Sequence, residues 1–198
     1  MVAIDPIVRA ALRPARVRYP VVMPSLVDRL VSYAEYHRDK RNIATHFVGI
    51  PMILVGTQAT LARIGIGPLN AAVGASALAA RYYRQLDPEA GVAMASVLGA
   101  TCAVGMGIAS LPLPMWAGTA AGLFVGGWAL QFLGHYFEGK KPAFLDDLRG
   151  LLDGPLFLVA ETAFALGLRP ELREEVERRA GPTRWGKAQP AELVPDAA

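Results

Sequence analysis

Three histidines occur in the 198 residues, His37, His46 and His135, and each stands beside polar company at the edge of a long apolar run. Neutral imidazoles are good ligands for iron, zinc or copper, and three of them with open positions make a reactive rather than a closed structural site. Glu138 lies three residues after His135 and Gln131 one turn before it, so all three share one helical face. His37 and His46 are nine apart, which on an unbroken helix directs them to opposite sides. Both can serve one site only if the chain bends or divides near Asn42. Asn42 and His46 then share a face, as do Tyr33 and His37.

Other chemistries find little support. Three histidines are too few for the clustered di-iron sites of membrane hydroxylases, and there is no H-E-x-x-H, no G-x-S-x-G and no phosphate-binding glycine loop in the required context. The single Cys102 forms no internal disulfide and no cysteine zinc site. A net charge of +3 without interleaved aromatic and basic residues argues against nucleic acid. On residue types alone, histidines that are merely buried or interfacial explain the pattern as well as a metal site does.

The elements that must position these residues follow from where charge is missing. Residues 47–80 carry one charge, Arg63, and residues 90–134 carry none. About 20 apolar residues cross a bilayer, so these runs predict an all-α multipass bundle: four transmembrane helices in two hairpins, near 47–63, 67–84, 90–111 and 115–135. Gly65, Gly67 and Pro68 mark one turn, and Pro112 and Pro114 the other. Lys and Arg number eight in residues 1–46, three in 135–150 and six from 169 onward, with Arg81 and Arg84 between the middle spans and Arg63 alone on the opposite side. With four spans the basic-rich segments, and all three histidines with them, fall on one face, which the positive-inside rule makes cytoplasmic; a bacterial inner membrane is the expected location. Gly118, Gly122 and Gly126, and Ala71, Ala75 and Ala79, recur every fourth residue and are expected to let helices approach closely. Residues 1–24 read as a basic tail in which Arg9, Arg13 and Arg16 could share a face toward anionic headgroups. Residues 25–168 read as the membrane domain. Residues 169–198 read as a short solvent-exposed helix, with Glu174/Arg178 and Glu175/Arg179 pairs, and a disordered end. Asp153 and Glu161 disfavour a fifth span in 151–168, which is expected to lie at the interface or cap the site, with Glu161 accepting a histidine N–H.

The residues also carry a family resemblance. The run Tyr36 to His46, followed by Gly49-Ile50-Pro51, resembles the H-x4-N-x3-H…P opening of the Mpo1-like (DUF962) family. Gln131 to Glu138, with Pro142-Ala143 after it, is similar to that family's element in which Gly-His is followed by Phe-Glu and then Pro-Ala, and Pro155-Leu156-Phe157 with Glu161 resembles its closing P-x-F…E element. The resemblance implies an iron-dependent membrane dioxygenase that uses O2 to shorten a 2-hydroxy fatty acid by one carbon with release of CO2 (α-oxidation). It implies that His37, His46 and His135 hold Fe(II) (Fe2+), with Asn42 and Glu138 behind them or as an extra ligand. The lipid substrate, its carboxylate and 2-hydroxyl on the metal, would keep its acyl tail in the bilayer or between spans. A non-catalytic multipass scaffold or transport-associated protein, and a zinc-dependent lipid hydrolase, remain the alternatives; oligomeric state is not legible.

Overall fold

The computed structural model describes residues 24–67 and 69–186. The basic tail before Pro24 and the chain beyond Gly186 lie outside it, and with them the expectations for Arg9, Arg13 and Arg16. Among the described residues seven α-helices follow one another: α1 (Leu26–Ala34), α2 (Lys40–Leu61), α3 (Ala71–Leu86), α4 (Pro88–Ala109), α5 (Leu113–Glu138), α6 (Gly150–Ala165) and α7 (Pro170–Ala180). A two-residue β-hairpin, β1 (Gly65–Ile66) with β2 (Leu69–Asn70), joins α2 to α3, and a 3-10 turn (Ala143–Leu145) precedes α6.

Local chemistry sets the boundaries that matter. Ser25 and Asp28 form a capping box that starts α1. The Asp39 carboxylate accepts from the Arg41 N–H and starts α2, so the chain between Ala34 and Lys40 is a turn rather than helix. This is the break that two histidines of one site require; it falls just before Asn42 rather than at it. Asp87 caps α4 with Pro88 in its first turn, where the missing N–H costs nothing. Gly139, at φ 73°, stops α5 one residue after Glu138.

Three helices, α2, α4 and α5, are long and apolar enough to cross a membrane. The protein is an all-α membrane protein, as its charge pattern predicts. The remaining expected span is shorter than the others: the β-hairpin takes up residues 65–70, Asn70 caps Val73, and α3 has 16 residues, about 24 Å at 1.5 Å each. Helices α6 and α7 meet at a bend of 118°, so together they count as a fourth crossing only if the sharply bent pair is taken as one span.

The four long helices run as two hairpins, but the tightest seams lie between hairpins. Helix α2 packs along α5, and α4 packs on both α3 and α2. The first of these seams is built on glycines seven residues apart, Gly49 and Gly56 on α2 and Gly127 and Gly134 on α5. A Cβ on Gly56 would sit 2.8 Å from the Ala120 carbonyl, and one on Gly127 would sit 2.7 Å from that of Gly49. The every-fourth-residue glycines do not make this contact: nothing approaches Gly118 or Gly122 within 4 Å, and Gly126 meets only the end of Met52. Spacing alone marked the wrong stripe of α5, because it does not reveal which face the partner helix takes. Polar ties also cross the bundle. Trp116 Nε1 donates to the Ala59 carbonyl at 2.9 Å, and Gln58 Nε2 donates to the Leu98 carbonyl at 3.1 Å.

Helix α6 packs under α1, burying Leu156, Phe157 and Leu158 against Leu26, Leu30 and Val31. A buried ion pair, Arg29 to Asp153 at 3.0 Å, joins the two. Helix α7 is more than a solvated appendage: Val176 is buried, and Arg179 pairs with Asp28 of α1 at 3.0 Å. Its internal pairs are Arg173–Glu177 and Arg178–Glu175, while Arg179 lies 4.0 Å from Glu175; Arg178 chooses Glu175 over the expected Glu174. The chain beyond Gly181 was expected to be disordered. Its described residues, 182–186, instead return to the bundle, where Asp39 and Arg184 form a backbone bridge.

Candidate metal centre

The start of α2 and the end of α5 bring the three histidines together. His37 stands in the turn before α2, His46 on the second turn of α2, and His135 on the last turn of α5. One nitrogen from each lies within 4.8 Å of the other two, and all three residues are buried. Ring centroids are 4.6 Å apart for His37 and His46, 4.8 Å for His37 and His135 and 5.2 Å for His46 and His135.

Tautomers follow from the hydrogen bonds. His37 Nδ1 meets the Tyr33 carbonyl at 2.7 Å and His46 Nδ1 meets the Asn42 carbonyl at 2.9 Å. A carbonyl only accepts, so both Nδ1 atoms carry the proton and both Nε2 atoms present lone pairs. Those two Nε2 atoms face each other at 3.2 Å. Two lone pairs repel at that distance unless a proton or a cation lies between them. Burial, with His46 beside it, holds the His37 imidazole well below its ordinary range, which disfavours the proton. The spacing is close to the roughly 3 Å between adjacent ligands each about 2.1 Å from one ion. His135 Nδ1 is also buried without a hydrogen-bond partner. Neutral, outward-facing nitrogens with no protein partner fit a divalent metal.

Around this centre the other residues form a frame. Glu138 Oε2 accepts from the backbone N–H of Asp39 at 2.7 Å, from that of Arg38 at 3.0 Å and from Asn42 Nδ2 at 3.1 Å, while its Oε1 accepts from Arg184 at 3.2 Å. Both oxygens are thus engaged in holding the turn that carries His37. Glu161 pairs with Arg38 at 3.6 Å, in place of the histidine N–H expected for it. Arg38 in turn donates to the carbonyls of Ala34 at 2.8 Å and His37 at 3.0 Å, so Glu161 reaches the centre through Arg38. Arg38 and Arg184 were hidden among the many basic residues that flank the apolar runs. No local spacing singles them out; Arg184 lies 46 residues from its partner Glu138. Tyr33 stacks on His37 with ring planes 5° apart, and Phe157 of α6 covers the same ring at 5.7 Å, so α6 does cap the centre.

A pocket of about 500 Å³, counted to its open mouth, leads to His46 and His135 between α2, α5 and the 143–155 segment. Its walls are mostly apolar, among them Ile50, Ile53, Leu54, Trp128, Phe144 and Leu151.

The sequence that builds this centre has relatives among known proteins. The profile of the family described as 2-hydroxy-palmitic acid dioxygenase Mpo1-like matches residues 23–166. The chain belongs to the Mpo1-like family. It is 30% identical over 155 residues to the 2-hydroxy-palmitic acid dioxygenase MPO1 of Saccharomyces cerevisiae, an alignment covering 77% of this chain and 87% of the yeast protein. No solved structure matches it significantly. The Mpo1-like match ends within the described fold: it takes in α1 to α6 and leaves out α7 and the Arg184 strap, which in this chain nevertheless touches Glu138.

The α2–α5 seam sets the distance between His46 and His135, and Gly134 is the seam glycine that lies against His46. A Cβ there would collide with Asn42 Oδ1 and Thr45 Oγ1 and lie 3.1 Å from His46 Nδ1. Gly134→Ala is expected to cost about 1–3 kcal/mol through overpacking and to lower metal content, as read by thermal unfolding in detergent and metal analysis. Unchanged metal content would mean that the seam does not set the centre.

Proposed function

We propose that the protein is an iron(II)-dependent membrane dioxygenase that converts a long-chain 2-hydroxy fatty acid and O2 into the acid one carbon shorter, CO2 and water. The balance closes without an outside reductant: R–CH(OH)–COOH + O2 gives R–COOH + CO2 + H2O, the C1–C2 bond breaking as the substrate supplies all four electrons. The observation that carries this reading is the pair of Nε2 lone pairs at 3.2 Å, completed by His135, at the end of an apolar pocket. The relative that is named for action on 2-hydroxy-palmitic acid supports the choice of substrate.

His37, His46 and His135 would hold the metal, which when bound supplies the one-electron chemistry that O2 needs to react with a closed-shell organic substrate. Asn42 fixes the His46 tautomer through its carbonyl and joins Glu138 through its amide. Glu138 holds the His37 turn, and Glu161 braces it from outside through Arg38. Phe157 and Tyr33 shield His37 from water. The apolar pocket would receive the acyl tail.

Protein purified without oxygen and given iron(II) should bind about one ion per chain, then consume O2 with 2-hydroxypalmitate and yield the acid shortened by one carbon. Palmitate should be inert. Activity with zinc and without O2 uptake would instead favour a hydrolase, and no metal binding at all a scaffold.

The centre would face the cytoplasm of a bacterial cell, at the end of the bundle opposite the Arg63 turn. Arg63 donates to the carbonyls of Ala109 and Leu111 there, tying the two distal turns together. Reporter fusions after Arg63 and at Pro112 should read as external, and those at Asp87 as internal. An internal Pro112 would reject this orientation.

A further inference from the structure

We propose that Gln131 is the residue that recognises the 2-hydroxy-acid head of the substrate, its amide donating to the carboxylate and accepting from the 2-hydroxyl. The proposal rests on the reading of the site as a 2-hydroxy acid dioxygenase and names the side chain that gives it selectivity.

Gln131 stands one helical turn before His135 on α5, on the same face, and lines the pocket together with His46 and His135. It is buried, 5% exposed, and its Nε2 has no hydrogen-bond partner. A buried amide left unpaired costs about 1–3 kcal/mol, so its retention beside the histidines asks for a partner that enters from the pocket. The pocket offers few alternatives. Among the described residues no Lys, Arg, Asp or Glu lines it, and apart from the histidines only Tyr33, Trp128 and Gln131 bring hydrogen-bonding side chains, of which Gln131 alone carries a donor and a carbonyl acceptor together. An acid entering this pocket therefore meets no fixed positive side chain.

A carboxamide suits the head of a 2-hydroxy acid because one planar group carries a donor and an acceptor side by side. The carboxylate can only accept, and the adjacent hydroxyl can donate. An unhydroxylated acid would leave the amide oxygen unpaired, and a site built to bond a hydroxyl rejects the analogue that lacks one. Gly49 makes room for this side chain: a Cβ on Gly49 would collide with Gln131 Nε2.

The test measures binding of 2-hydroxypalmitate and palmitate to iron-loaded protein without O2, with iron content and helical content recorded for each variant. Wild type should bind 2-hydroxypalmitate more tightly. Gln131→Leu should weaken 2-hydroxypalmitate roughly 10–100-fold, two hydrogen bonds' worth, change palmitate little and keep its iron. Gln131→Glu, nearly isosteric and so less exposed to packing failure, should weaken both acids because two carboxylates then face each other. Discrimination preserved within twofold in both variants would overturn the assignment, as would loss of iron in both, which would make Gln131 a support of the metal centre. A wild type that binds neither acid fails the dioxygenase reading itself, whereas a discriminating wild type with unaffected variants fails only the role of Gln131.

Discussion

His37→Ala, His46→Ala and His135→Ala should each abolish O2 consumption and release the iron, while the helical content of the protein stays that of wild type. The loss should exceed the roughly 10–100-fold that removal of an outer partner costs a metal site, because each change removes a ligand outright. Their effects should also be non-additive: once one ligand is gone, removing a second changes little. The bundle should survive because its closest seam rests on Gly49, Gly56, Gly127 and Gly134, of which only Gly134 lies beside an imidazole, that of His46, and it also meets Asn42 and Thr45. His37 is the most informative of the three. It lies in a turn, so apart from the other two histidines its ring is held by the Tyr33 carbonyl, the Tyr33 stack and Phe157. Full activity and full iron content in any one variant would remove that residue from the centre.

Replacement of Glu138 should have the next largest effect and separate two roles of one side chain. Glu138→Ala leaves two backbone N–H groups, the Asn42 amide and Arg184 without their acceptor. Breaking a buried charged contact of this kind costs about 3–5 kcal/mol; the half-exposed Arg184, which can turn to water, places the expected loss at the lower end. Glu138→Gln keeps one carbonyl oxygen for the N–H groups and loses the charge that meets Arg184. Its stability should recover most of the loss, and its iron affinity should fall by about 10–100-fold or less. Thermal unfolding and iron titration of the two variants provide the check. If Glu138→Gln loses iron as completely as a histidine variant does, Glu138 is itself a ligand rather than the support of the His37 turn.

The frame explains why one turn of chain can carry a ligand. Between Ala34 and Lys40 the N–H groups of Glu35, Tyr36 and His37 still reach the carbonyls of Val31, Tyr33 and Ala34, but those of Arg38 and Asp39 point away from the helix and must be paired from elsewhere. Glu138 supplies that pairing from α5, while the Arg38 side chain, paired with Glu161 of α6, donates to the carbonyls of Ala34 and His37. The residues 37–42, 135–138 and 161 are thus one mechanical unit, although 124 residues separate its ends.

The sequence by itself determined that the chain is an all-α membrane protein, since uncharged runs such as 90–134 leave a bilayer as their stable surroundings. It also determined that His37 and His46 need a break between them to meet, because helical period is a local property; Asp39 as the cap of α2 provides it. Tertiary structure alone decided which glycines touch. Gly134 and Gly122 differ in nothing local, and only the placement of α2 makes one a seam and leaves the other open. It decided that Glu161 turns to Arg38 and that Arg184, beyond the last recognisable motif, returns to Glu138. It also decided that Gln131 and two histidines share an apolar pocket. Spacing along a chain reports which residues share a face, whereas what that face meets depends on long-range packing, which no window of sequence contains.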